Sequence, residues 1–303
     1  MTKFSLRQRA SVIAAVSALT LVLGGTAQAA DCRLSITVPQ DYWVIHHDPY
    51  AQDLAFGEFD VMLTNEGDAT CVGLIQTDTL GEAFGMVRSD DVARIPYVLV
   101  DERNGTDVTP RAGASARRAA ARPVSLAPGG RELLRFSLMV SPQVQLGDGD
   151  YIQDLVLAVN ATDGLPLAER LVKVGISVPA AALMGLKGAV QRTSSGATID
   201  LGELTEGRRS LGTSLYVLST RGYSVGVTSD NQGRLRMASS DWSIPYGLSL
   251  GSEEVNLIQG DEVRVASRRP RIDVYPLSIQ IGSTANRRAG EYSDTLRFTV
   301  SAL

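Results

Sequence analysis

Beyond residue 32 the chain is a succession of short runs in which apolar and polar positions alternate. Near its end, Leu296, Phe298 and Val300 alternate with Thr295, Arg297 and Thr299, the period-2 pattern of a strand with one buried face. The same reading gives strands in "RLSITV", "FDVMLTN", "CVGLIQTD", "IPYVLVD", "ELLRFSLMV", "YIQDLVLAV" and "RLVKVGISV". Turn chemistry separates them, as in Asn65-Glu66-Gly67-Asp68 and Pro128-Gly129-Gly130. No stretch of a dozen residues carries a 3.6-residue apolar period. Many short strands with Gly- and Pro-rich turns predict an all-β fold of the sandwich or barrel kind.

The small-residue stretch "VPAAALMGLKGAV" (178–190) interrupts this pattern. A boundary near Ala180 to Ala182 divides the chain into an N-terminal β-sandwich over 30–180 and a C-terminal one over 181–303. The second half reads as strands in "LKGAVQ", "ATIDLG", "SLGTSLYVLST", "YSVGVTS", "YGLSLG", "RIDVYPLSIQI" and "DTLRFTV". Two landmarks recur in the same order. Ile95-Pro96-Tyr97 returns as Ile244-Pro245-Tyr246, and "GDYIQDL" (149–155) returns as "GEYSDTL" (290–296). The acidic residue drifts, since Asp154 is three positions after its tyrosine and Asp294 two. Tyr151 and Tyr292, each in a Gly-x-Tyr before an alternating strand, suit tyrosine corners in a pair of immunoglobulin-like sandwiches.

The halves differ after that shared tyrosine strand. "YIQDLVLAV" is followed by the turn "NATDG" and one more strand, whereas Val300 is followed by three residues. The second sandwich is therefore expected to lack its last strand, with Leu296, Phe298 and Val300 lining one wall of an open groove. Burying one apolar side chain is worth roughly 1.5–3 kcal/mol. An open groove is thus a large loss for a marginally stable domain and an invitation to aggregate. Strand addition from a partner is the physical remedy. A compact six-stranded sandwich is the alternative.

The N-terminus changes where this chain is expected to work. Lys3, Arg7 and Arg9 precede the apolar run Ala10 to Leu23, and Ala27-Gln28-Ala29 is an A-x-A cleavage site, so residues 1–29 read as a signal peptide. A membrane anchor would need roughly 20 apolar residues. Cleavage removes three of the 29 basic side chains and no acidic one, leaving 26 against 33, a formal charge of −7. That sign argues against nucleic acid as the partner. The basic cluster Arg111, Arg117, Arg118 and Arg122 lies in an Ala- and Gly-rich stretch and reads as a solvated loop or a short helical excursion. In an oxidising compartment Cys32 and Cys71, the only cysteines, read as one disulfide. A metal pair or catalytic thiol would need a supporting histidine in the right pattern.

Enzyme chemistry is not evident. His46 and His47, the only histidines, are adjacent, so on a strand they would point to opposite faces. No third ligand suggests itself, and a polar loop at the sandwich rim is the plainer account. "GTS" (212–214) and "GYS" (222–224) lack the second glycine of a nucleophile elbow, and no phosphate or dinucleotide fingerprint occurs. No cofactor or metal is expected. Trp43, Tyr50, Phe84 and Met86 fall in predicted loops and are candidates for surface contact. The competing account is that Trp43 and Phe84 complete the core.

The ending "RAGEYSDTLRFTVSAL", with "SIPYGLSLG" and the early "FGEFDVMLTNEGDATC", resembles the spore coat protein U domain, from which subunits of archaic, Csu-type chaperone–usher pili are built. Gly290, Tyr292, Asp294 and Leu296 carry its most specific piece. The resemblance covers about residues 186–303 best and the first half loosely, where "SLAPGGRELLRF" is a generic bacterial immunoglobulin-like pattern. Departures are the absence of a cysteine pair in the second domain and the extra strand in the first. Cys32 also stands only three residues into the expected mature chain, leaving almost no donor segment.

The resemblance implies a non-enzymatic pilus subunit at the fibre tip, accepting a strand and giving none. A periplasmic chaperone would fill the groove first, an outer-membrane usher would oversee the exchange, and a neighbouring pilus subunit would follow. The protein would be exported to the periplasm and then the cell surface, where the first domain would touch a surface or glycan of unassigned identity. The alternatives are a chaperone or accessory protein of the same system, which lends strands, and a self-contained periplasmic binding protein.

Overall fold

A computed structural model describes residues 31–51, 53–110, 122–141, 146–194 and 196–303. The signal segment and Arg111, Arg117 and Arg118 of the basic cluster lie outside them. Among the described residues, twelve strands precede residue 180 and twelve follow it. The first set is β1 (Leu34–Thr37), β2 (Tyr42–His46), β3 (Ala55–Asn65), β4 (Cys71–Asp78), β5 (Met86–Val87) and β6 (Arg94–Ile95). It continues with β7 (Tyr97–Asp101), β8 (Thr106–Asp107), β9 (Val124–Leu126), β10 (Arg131–Val140), β11 (Gly149–Asn160) and β12 (Pro166–Val178). The second set opens with β13 (Ala182–Gly188), β14 (Gln191–Thr193), β15 (Gly196–Thr198), β16 (Gly207–Ser219), β17 (Tyr223–Ser229) and β18 (Arg234–Met237). It closes with β19 (Ser243–Leu250), β20 (Glu253–Val255), β21 (Asp261–Val265), β22 (Arg271–Ile281), β23 (Tyr292–Ser293) and β24 (Leu296–Ala302).

In the first unit, a sheet ordered β1-β3-β10-β7-β8 faces one ordered β2-β12-β11-β4-β9, with β5 beside β11 and β6 beside β5. Alternation along β10–β12 sends Phe136, Leu138, Leu155, Val174 and Ile176 inward, where they are buried in one core. Trp43 fixes the spacing of the two sheets. It stands on β2 and stacks on Phe59 at 5.3 Å and Phe136 at 5.7 Å between ring centroids, from the facing sheet. Trp43 is 2% exposed and Met86 fully buried, so neither is a surface-contact residue. The region around Trp43 is strand, not loop. Val44 is an apolar residue on the outward face of β2, and it hides the alternation of Trp43 and Ile45.

The N-terminal edge is fastened twice. Cys32 and Cys71 form a disulfide, and the turn after β3 wraps the residues ahead of β1. Glu66 N–H donates to Arg33 O at 2.7 Å and Asp68 N–H to Asp31 O at 3.0 Å. Gly67 is required there, because a Cβ would stand 2.1 Å from Asp31 O. Fully buried Asn65 holds the turn from within, donating to Ala69 O and Leu126 O at 2.8 and 2.9 Å.

In the second unit, the sheet β13-β16-β22-β19-β18-β23, with β20 beside β19, faces a three-stranded sheet β21-β17-β24. The hairpin β14–β15 belongs to neither. The core between the sheets holds Leu215, Val217, Val225, Val227, Leu277 and Ile279. The units meet at the bend after β16. Asp148 N–H donates to Thr220 O at 3.3 Å, Asp148 pairs with Arg221 at 3.4 Å, and Tyr50 O–H donates to Leu218 O at 3.0 Å.

The disulfide closes a loop spanning 39 positions, which the chain-entropy account values at about 4 kcal/mol. Replacing Cys32 and Cys71 by serine should lower the first unit's unfolding free energy by that order in urea titrations. The second unit's transition should not move.

Candidate strand-acceptor site

β24 pairs antiparallel with β17 from Ser229↔Leu296 to Tyr223↔Ala302. Among the described residues no strand pairs with its other edge. Its alternation sends Leu296, Phe298 and Val300 toward the core, and Arg297, Thr299 and Ser301 to solvent. The inward three are only half-buried. Across from them the edge strand β13 turns Met184 and Leu186, also half-buried, toward the same core. β13 and β24 approach to within 8 Å between Cα atoms at places but share no ladder.

The first unit shows the same positions closed. Aligning Tyr151 with Tyr292 sets Leu155, Leu157 and Val159 opposite Leu296, Phe298 and Val300. The first three are 0%, 1% and 1% exposed. The difference is β12, which runs antiparallel along the whole of β11 and contributes Val172, Val174, Ile176 and Val178 to the core. In sheet order, β11-β4-β9 matches β24-β17-β21, and the first unit continues past β11 with β12 and β2.

Polar side chains hold the entrance to both tyrosine strands in the same way. Tyr151 O–H donates to Gly147 O at 3.1 Å and Tyr292 O–H to Arg288 O at 2.7 Å, each four residues upstream. Tyr97, of the first Ile-Pro-Tyr, donates to Gln153 Oε1 at 3.1 Å. Tyr246, of the second, donates to Asp294 Oδ2 at 2.6 Å. Asp294 therefore corresponds to Gln153 and not to Asp154. It also accepts from Ser229 Oγ at 2.5 Å, Asn231 N–H at 3.0 Å and Thr295 N–H at 2.7 Å. Burial, reinforced by Asp294, pushes the Tyr246 hydroxyl well above its ordinary pKa, so it remains a donor.

A second polar bridge crosses the sheets at the other end of β17. Fully buried Tyr223 donates to Asp273 Oδ2 at 2.7 Å, and its oxygen lies 2.6 Å from the Tyr275 hydroxyl. Arg271 grips Asp273 with both arms at 2.7 and 2.8 Å. That grip holds the Asp273 carboxyl below its ordinary pKa, against the opposing effect of burial.

The remaining candidate residues do not assemble into a site. Tyr50 sits at the junction of the units. Phe84 packs half-buried on the first core, with its ring 4.8 Å from Tyr97. Among the described residues, apolar loop side chains that face solvent include Leu54, Leu80, Val92, Leu165 and Ile258, at 59%, 61%, 94%, 65% and 68% exposure; isolated aliphatic residues in loops carry no sequence signal that singles them out. His46 is exposed and His47 buried. Among the described residues no group of three His, Cys, Asp or Glu side chains could hold a metal ion.

No protein-family model and no curated protein sequence matches the chain. Solved structures of similar strand arrangement include tip adhesins, a pilin and chaperones. One is the CsuC–CsuE chaperone–tip adhesion subunit pre-assembly complex of the archaic chaperone-usher Csu pili of Acinetobacter baumannii. It has a TM-score of 0.46 and 11% identity, over 88% of this chain and 99% of that one. The CupB6 tip adhesin from Pseudomonas aeruginosa gives 0.39 and 12%, over 90% and 95%. The CooA pilin subunit from enterotoxigenic Escherichia coli gives 0.31 and 11%, over 48% and 99%. At superpositions this loose, none of the likenesses bears on what the chain does.

The Asp273 bridge makes a pH prediction. A carboxyl with a lowered folded-state pKa adds stability above its unfolded value, and that stability fades as pH falls through the folded one. The second unit should therefore lose stability below about pH 4. Asp273→Asn should flatten that acid limb in thermal melts from pH 7 to pH 2, and should lower stability at neutral pH.

Proposed function

We propose that the second unit is completed by a β-strand from another polypeptide, laid along the open edge of β24, and that the protein is a non-enzymatic subunit of a surface pilus assembled in this way. The observation that carries the reading is the contrast between Leu296, Phe298 and Val300, half-buried beside an unpaired edge, and their counterparts sealed beneath β12. Strand addition supplies main-chain hydrogen bonds along the edge and side chains for alternate pockets. The spore coat protein U pattern of Gly290, Tyr292, Asp294 and Leu296 agrees with this role.

The expected signal-peptide cleavage supports a place at the tip of the fibre. Cleavage at Ala27-Gln28-Ala29 would leave Ala30 and Asp31 ahead of the disulfide-bonded Cys32. Asp31 is itself held, its N–H on Asp68 Oδ1 at 2.5 Å. No free segment would remain to complete a neighbour. The protein would thus accept a strand from a chaperone or an adjoining subunit without passing one on. The first unit, already closed, would then face outward.

The test supplies the strand covalently. The turn and strand 161–178 appended after Leu303 should bury the groove side chains. Filling five half-exposed apolar positions is worth about 4–5 kcal/mol, which is roughly 10 °C or more in the second unit's melting temperature. Phe298→Asp in the extended chain should cancel most of the gain. An extended chain that melts like the original would overturn the acceptor role and favour a strand-lending or self-contained protein.

A further inference from the structure

Two strands, not one, separate the first unit from the second. The sequence of neighbours β13-β16-β22-β19 repeats β1-β3-β10-β7, and β24-β17-β21 repeats β11-β4-β9. Past β11, the first unit adds β12 and then β2, which runs parallel to β12 from Lys173↔Tyr42 to Ser177↔His46. β2 follows β1 directly in the chain. It leaves the edge of one sheet and pairs at the edge of the other, sending Trp43 and Ile45 into the core.

In the second unit the segment that follows the matching strand β13 joins neither sheet among the described residues. It folds on itself as β14–β15, and all six residues of those strands are exposed. A lone two-stranded ribbon is marginal in water, so little holds it in that state. It is nevertheless kept beside the groove, because Arg192 Nη2 donates to Leu186 O on β13 at 2.8 Å. The bend at its root is Gly188, with φ of +120°, where a Cβ would stand 2.2 Å from Gly212 O. The sequence "ATIDLG" alternates as a longer strand would, yet β15 ends at Thr198, and Ile199 and Leu201 are left half-buried beyond it.

We infer that the β14–β15 hairpin pairs with the outer edge of the incoming strand, taking in the second unit the place that β2 holds in the first. The inference rests on the acceptor role proposed above. A strand laid on β24 has an unpaired outer edge of its own, which is a liability in water. The hairpin is the one described segment tethered at that side of the groove without a sheet to join.

Hydrogen–deuterium exchange on the full chain, with and without residues 161–178 appended after Leu303, separates the outcomes. β18, at the far side of its sheet from β13, is the internal reference. Slowing of β24 amides by tenfold or more reports strand addition. Slowing of β14 or β15 amides by about tenfold beyond β18, equivalent to 1.4 kcal/mol, reports the hairpin closing over it. Protection of β24 with an unchanged hairpin overturns the inference and leaves the acceptor role standing. Equal slowing in the hairpin and β18 is general stabilisation and overturns it likewise. No protection at β24 overturns both.

Discussion

The outer edge of β24 is the constraint on which the second unit depends. Such an edge makes two demands at once. Its backbone groups need hydrogen-bonding partners, and Leu296, Phe298 and Val300 beneath it need to leave water. Water meets the first demand and fails the second. An apolar surface meets the second and leaves buried backbone groups unpaired, at a penalty of kilocalories each. Only another strand meets both, which is why β12 in the first unit completes the ladder and the core with the same residues.

The second unit is built so that the open edge keeps its shape. Tyr292, Asp294 and Tyr246 fix the chain entering β24, and Tyr223, Asp273 and Arg271 tie the two sheets together where β24 ends beside β17. A strand arriving along β24 meets an edge whose conformational entropy is already spent, so less of the contact energy is lost to ordering. The polar groups tie the sheets together at the two ends of β17.

How much of this the sequence disclosed follows from which faces are wet. β17 and β22 were legible to the residue, β17 because Tyr223, Val225 and Val227 alternate with Ser224, Gly226 and Thr228, β22 although its apolar phase flips between exposed Ile272 and Val274 and buried Leu277, Ile279 and Ile281. β2 was hidden because Val44 is apolar on the outward face. β21 was hidden because "DEVRV" at an exposed edge looks like a solvated loop. Placing Trp43 and Met86 among surface contacts followed from reading β2 and β5 as loops. The repeat was visible in its tyrosines and glycines, whose roles demand those residues. The match of Gln153 to Asp294 was not, because an amide and a carboxylate accept the same tyrosine proton without resembling each other in sequence. The open wall at Leu296, Phe298 and Val300 was expected from the extra strand that the first half carries, not from alternation, which marks a face and not what covers it.

Closing one sandwich and leaving its copy open makes their stabilities answer to different variables. In the first unit β11 and β12 are joined by a turn of a few residues, pinned by Ala161 N–H on Leu165 O at 2.8 Å. The closing strand is therefore present at an effective concentration in the millimolar range or above, and the unit's stability is a property of the chain alone. The second unit's stability, on the acceptor reading, rises with the concentration and affinity of whatever donates the strand. Folding and assembly then become one equilibrium in the second unit and remain separate in the first. A chain so divided can carry an outward unit that is folded before assembly begins, attached to one that reaches full stability only when it is joined to a partner.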